Sequence, residues 1–168
     1  RPGDEVIVVG DGHRPAAHNA FRASGLPGRY DRTEPDDQDG GGAQRNRGLA
    51  LAGASHVLFL DDDDLYNPGA LAAARRAVAD HPGRLLVFRM YNAAKRRFVW
   101  DRPEARVGNV GTPMICVPND PARLGRWGPG RQSDWHFYET TAAKLGPPVW
   151  REEVLATVYP HHPDARPA

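Results

Sequence analysis

The sequence is nearly devoid of cysteine. Of its 168 residues only Cys116 is one, which excludes an intrachain disulfide and a cysteine-rich zinc site and fits a reducing compartment such as the cytoplasm. It also lacks a charge bias. Lys and Arg number 22 against 21 acidic residues, a formal net charge of +1, so no global field recruits nucleic acid or an anionic membrane, and partners must be sought at local sites. Its longest apolar stretches, such as "LALAGASHVLFL", are short and broken by His56, which excludes a membrane span. No secretory leader pattern is present. Arg1 leads almost directly into the strand-like "EVIVV", an opening that reads as cut.

What is present is an alternation of short apolar runs with helix-like segments, fitting one domain with one core. Glu5 to Val9 reads as a buried strand ended by "GDG", followed by a helix from Pro15 to Ser24 that Gly25 stops. Arg29 to Thr33 reads as a short strand, "EPDDQDGGG" as a mobile loop, Ala43 to Ala52 as a helix and "HVLFL" as a second buried strand. Asn67 is set to cap a helix with Pro68 in its first turn, running to about Asp80. The pattern predicts an α/β layer with a largely parallel sheet, whose ligands bind beyond the carboxyl ends of the strands. Further on, "RLLVFRMY" and "RFVW" read as a hairpin across "NAAKR" and "TPMICVP" as a strand. Ser133 reads as the cap of a helix to Leu145, "VLATVY" as a last strand and residues 161–168 as a loose tail.

Among the motifs, "FLDDDDLY" sets four adjacent carboxylates after an apolar run. Two readings stand side by side. The run is a solvated turn before a helix, or alternate carboxylates converge on a hard divalent cation such as Mg²⁺ or Mn²⁺. Other familiar sites are excluded. Neither "DDQDGG" nor "DDDD" has the alternating ligands of an EF-hand. "GDGHRP" carries Pro15 where a dinucleotide fingerprint needs its third glycine, and "GGGAQRNRG" lacks the Gly-Lys-Ser/Thr of a P-loop.

Taken in order, "EVIVVGDG", "GGAQRNRGLALAGASHVLFLDDDDLYNPGAL" and "GRQSDWHFYETTAAKLG" resemble the family-2 glycosyltransferases with the GT-A fold. That family shows a strand ending in Asp-Asp-Gly-Ser, a Gly-x-x-x-Ala-Arg-Asn-x-Gly helix, a strand ending in Asp-x-Asp and a later Glu-Asp helix start. The resemblance covers most of the chain. It implies a GT-A-like, Rossmann-like layered fold with a mostly parallel central sheet, with residues 1–66 as the nucleotide-binding part and 67–160 as the acceptor side. The family's usual first strand and helix have no counterpart before Glu5, and a sheet without that strand would expose backbone groups at an unpaired edge.

The activity implied by the resemblance is metal-dependent, inverting transfer of a sugar from a nucleotide diphosphate sugar, a UDP-sugar in the first instance. The acceptor hydroxyl belongs to a glycan, lipid or small molecule, and the cofactor is Mn²⁺ or Mg²⁺. Asp11 matches the aspartate that reads the base, with Gly10 in place of its partner. Asn46 and Arg47 match the helix lining the donor pocket. Asp61 and Asp63 fill the Asp-x-Asp pattern as metal ligands, with Asp61 and Asp62 near the ribose or sugar, and Asp64 is left to face solvent. Asp134 matches the base acting on the acceptor, with Ser133 replacing the usual glutamate. A cation stabilises the leaving diphosphate, and a carboxylate on the opposite face takes the attacking hydroxyl's proton. The helix dipole lowers the pKa of an acid in the first turn, so partial burial or nearby acids must oppose it if Asp134 is to act as a base.

Several residues keep two readings each. Arg45 and Arg47 neutralise diphosphate or are solvated, and Trp127 and Trp135 stack on an acceptor sugar or belong to the core. His161 and His162 reach the donor or lie in the tail. Two other functions remain in view, a non-catalytic sugar- or nucleotide-binding module and a nucleotidyltransferase.

Overall fold

The computed structural model describes residues 3–35 and 40–159; His161 and His162 lie outside the described residues. The elements run β1 (Val6–Asp11), α1 (Pro15–Ser24), β2 (Gly28–Thr33), α2 (Gly42–Leu51), β3 (His56–Leu58), β4 (Leu65–Tyr66), α3 (Ala70–Asp80), β5 (Leu86–Asn92), β6 (Arg97–Val99), β7 (Ile115–Pro118), α4 (Ser133–Leu145) and β8 (Val149–Val158). Helix α1 begins on Pro15, whose ring presets φ, and ends at Gly25 in the left-handed conformation, φ 64°.

The main sheet has the order β3-β7-β5-β8-β4, with β6 hydrogen-bonded to β5. Strand β7 is antiparallel to both β3 and β5, and β8 is parallel to β5. Strands β3, β5 and β8 therefore run the same way, and their carboxyl ends share one edge. The α/β layer and its ligand-side edge are as expected, but the sheet is mixed rather than mostly parallel. A tight turn joins β5 to β6 and forces antiparallel pairing, since a parallel partner requires a long crossover.

Strand β5 shows why the core holds. Successive side chains leave opposite faces. Val87 joins Phe59, Trp100, Met114, Trp127 and Phe137 in one cluster, whereas Leu86 and Phe88 face the other way with Cys116 and Leu155. Ala70, Ala73, Ala74 and Ala77 of α3 close that second cluster. Their helical spacing and small size bring the helix close against the sheet. Burial pushes the Cys116 thiol up to about 12, so it behaves as a small apolar core residue.

Strands β1 and β2 form a separate parallel pair. Among the described residues, β1 pairs only with β2 and β3 only with β7, which leaves the unpaired edges expected from the sequence. This corrects the burial reading of both strands. Val6 to Val9 and His56 to Leu58 are only half-buried; Phe59 reaches the core, but Leu60 is 42% exposed and α1 buries no residue. At the entry ends of β1 and β3 the gap is bridged by Glu5, whose Oε1 accepts the Gly53 and Ala54 N–H groups at 2.6 and 3.2 Å.

Three local expectations are corrected. Asn67 does not cap α3, which starts behind Gly69. Its side chain instead donates to the Val154 carbonyl (3.1 Å) and accepts from the Thr157 hydroxyl (2.8 Å), tying the chain after the acidic run to β8. Ser133 is the first residue of α4 rather than its cap; the cap position falls on Gln132, which makes no side-chain capping bond. Strand β8 begins at Val149, because its early residues pair with Leu86 and Val87 before two register shifts.

Candidate functional site

Four consecutive side chains of α2 organise the carboxyl edge, each clamping a different segment. Gln44 Nε2 donates to Asp11 Oδ1 at the end of β1 (3.2 Å) and to the Thr33 hydroxyl (2.9 Å). Arg45 donates to Asp61 Oδ1 (2.5 Å) and the Gly40 carbonyl (2.9 Å), and its guanidinium lies 4.9 Å from the centre of the Trp127 ring. Asn46 accepts the Trp127 N–H (3.0 Å) and donates to the Trp127 carbonyl (2.8 Å). Arg47 turns away to Asp31, at 2.7 and 2.8 Å. The Arg32 N–H and then Arg47 hold the Asp31 carboxyl below the usual range. Close helical packing continues N-terminally, where a Cβ on Gly41 would stand 3.0 Å from the Arg45 guanidinium.

The four acids of the run have four environments. Asp61 is half-exposed and paired with Arg45, Asp62 is exposed, and Asp63 is half-buried. Asp64 does not face solvent as expected; it is only 7% exposed. The chain turns back after Leu60, the Asp64 N–H donating to the Asp61 carbonyl (3.2 Å), and this drives the fourth side chain inward. There Asp64 Oδ1 accepts the Tyr159 N–H (3.2 Å) just past β8. Burial, followed by repulsion from Asp63, Asp61 and Asp62, pushes its pKa up to about 6 against that single donor.

Asp134, in the first turn of α4, is half-buried. Burial raises its pKa and the nearby Asp61 adds to this, while the Trp135 N–H (2.7 Å) and the Arg45 charge pull the other way; the net direction is up. Burial therefore outweighs the dipole argument. Arg45 and Asp134 line one open cleft of about 350 Å³ with Gly40, Thr112, Gly130, Arg131 and Ser133.

The structure thus brings Arg45, Asp61 and Asp134 together, with Asp11 tied to Gln44, the residue before Arg45 in α2. Asn46 and Arg47 spend their polar groups on Trp127 and Asp31. Trp127 is 2% exposed, stacked on Phe137 at 4.3 Å, and belongs to the core; half-buried Trp135 packs against Tyr138. Among the described residues no group of three His, Cys, Asp or Glu side chains forms a ready-made metal cage. Gln44 and Thr112 join the site without being among the residues that the sequence motifs single out. Gln44 had a signal in its place beside Arg45 in the helix motif, whereas Thr112 had none.

Comparison with curated proteins by sequence finds no match. Among solved structures, S. aureus TarS 1–349 in complex with UDP-GlcNAc superposes with a TM-score of 0.73 at 17% identity, over 95% of this chain and 50% of that one. S. aureus TarS matches with a TM-score of 0.71 at 17% identity, over 93% of this chain and 31% of that one. This chain spans about half the length, or less, of those structures. Such identity speaks for the fold, a GT-A-like α/β layer with a mixed sheet. The sequence profile described as Glycosyl transferase family 2 matches residues 1–138, and with most of its length so covered the chain belongs to glycosyl transferase family 2.

Proposed function

We propose that this chain carries the donor site and base of a metal-dependent, inverting glycosyltransferase that moves a sugar from a UDP-sugar to an acceptor hydroxyl. The observation that carries the reading is that Arg45, itself paired with Asp61, lines one cleft on the carboxyl edge with Asp134, whose carboxyl feels both charges. Family membership supports it, as does the UDP-GlcNAc held by a protein of the same fold.

The acids fit a hard cation. Arg45 takes Oδ1 of Asp61 and leaves Oδ2 as an oxygen donor, and Asp63 supplies the second carboxylate of the Asp-x-Asp pattern. Two protein carboxylates suit Mn²⁺ or Mg²⁺, which takes its remaining ligands from phosphate and water. When bound, such a cation stabilises the charge left on the departing diphosphate. Asp11, steadied by Gln44, reads the base, and Asp62 lies on the ribose or sugar side. Asn46 and Arg47 act by holding the pocket walls through Trp127 and Asp31. Asp134, raised by burial, takes the acceptor hydroxyl's proton as that oxygen attacks the anomeric carbon, so a single in-line displacement inverts the centre.

UDP titration with and without Mn²⁺ tests the donor site. Asp63→Asn should abolish the gain in affinity that Mn²⁺ brings, and an unchanged gain removes the metal assignment. Asp134→Asn should keep UDP binding and slow transfer by about 10²- to 10⁴-fold; undiminished transfer removes its role as base. The open edges of β1 and β3 favour one other reading, a non-catalytic binding module. A cooperative thermal transition without any nucleotide affinity would support that one.

A further inference from the structure

We infer that Arg45 couples the two halves of the donor site: it makes the acid run hold a divalent cation weakly by itself, and makes cation and nucleotide diphosphate bind cooperatively. This coupling rests on the donor-site reading above and names the residue that links metal to nucleotide.

The first observation is the sharing of one carboxylate. Arg45 donates to Asp61 Oδ1 at 2.5 Å, which leaves Oδ2 for the cation assigned to Asp61 and Asp63. A guanidinium is always charged in a protein. Positive charges set on the two oxygens of a single carboxylate repel each other strongly at such short range. Arg45 therefore steadies Asp61 as a ligand and at the same time opposes the ion that Asp61 is to hold.

The second observation is that Arg45 is seated. Its side chain is 13% exposed against 38% for Asp61, so the acid is the open partner and the arginine the fixed one. The guanidinium donates to the Gly40 carbonyl at 2.9 Å and lies 4.9 Å from the centre of the buried Trp127 ring. Gly41, at φ 84°, adopts a conformation that suits glycine, and a Cβ there would press on the same guanidinium. With the charge held in this way, a cation arriving alone meets repulsion that rotation of the arginine does not relieve.

The third observation is what Arg45 leaves unspent. A guanidinium carries more N–H groups than the contacts to Gly40 and Asp61 use, and Arg45 lines the open cleft with Asp134. A diphosphate entering that cleft takes up the remaining N–H groups in charge-assisted hydrogen bonds, and its negative charge offsets the repulsion between Arg45 and the cation. Each ligand then raises the affinity for the other by the same factor. Arg131 lines the same cleft, but it is exposed and pairs with no acid among the described residues. It can attract an anion, but it does not share a carboxylate with the cation.

The test measures Mn²⁺ binding to the full chain without nucleotide, by electron paramagnetic resonance, and UDP binding with and without saturating Mn²⁺, by calorimetry. Arg45→Met and Arg45→Gln are compared with Arg126→Gln, which removes one charge from the exposed residue preceding Trp127. Two variants at position 45 guard against loss of the fold in either, and thermal melting checks both. In each Arg45 variant Mn²⁺ alone should bind about fivefold or more tighter, UDP in saturating Mn²⁺ should bind more weakly, and the factor by which each ligand helps the other should fall about fivefold or more. Arg126→Gln should leave all three within about twofold, its charge being screened by solvent. A merely structural role for Arg45 weakens both ligands together, and that result overturns the coupling, as does an equal effect from Arg126→Gln. A native chain that binds UDP no better with Mn²⁺ than without it sinks the donor-site reading and the coupling with it. Mn²⁺-dependent UDP binding that persists unaltered in both Arg45 variants sinks the coupling alone.

Discussion

Replacing Asp64 by Asn tests the claim that the fourth acid of the run is buried at a cost. Asp64 is 7% exposed, accepts one backbone N–H, and faces three like charges in sequence. Its pKa stands near 6 against an ordinary 3.8, and at about 1.4 kcal/mol per pH unit the ionised carboxylate costs the folded state about 3 kcal/mol above pH 6. The sign follows from proton binding. Between pH 3.8 and about 6 the folded chain binds this proton and the unfolded chain does not, so stability falls as pH rises through that window. Asn has nearly the same shape, can still accept from Tyr159, and carries no charge. Urea denaturation in EDTA, so that no divalent cation neutralises the run, should find Asp64→Asn more stable than native by about 3 kcal/mol at pH 8. Below pH 3.8, where Asp64 is neutral in both states, the gain should vanish. A variant that is no more stable at pH 8, or whose advantage does not depend on pH, would refute the reasoning.

Two further predictions concern α2. Asn46→Ala removes both bonds to the Trp127 backbone and should lower unfolding free energy by about 1–3 kcal/mol in urea melts followed by tryptophan fluorescence. Arg45→Met keeps an apolar stem over Trp127 but takes a positive charge from beside Asp134. The Asp134 pKa should then rise further, moving the acid limb of the pH–rate profile of transfer to higher pH; an unmoved limb would mean that Arg45 does not tune the base.

The sequence by itself determined the features that depend on near neighbours. Helix α1 was legible because Pro15 and Gly25 bound it, and the β5–β6 hairpin because two β-rich runs flank "NAAKR". The family was legible because its motifs keep their order along the chain, and order needs no coordinates. Tertiary structure alone decided what each side chain in those motifs touches. Asn46 is spent on Trp127, 81 residues away, and Asp64 is drawn to Tyr159, 95 residues away. Asn67 gives up a cap to bind β8, and β7 enters antiparallel to make the sheet mixed. Capping, turn and helix preferences act over about four residues, whereas burial and long-range hydrogen bonds are settled only when distant segments meet. A row of four aspartates is uniform in sequence, and the fold makes one of them an Arg45 partner and another a buried acid.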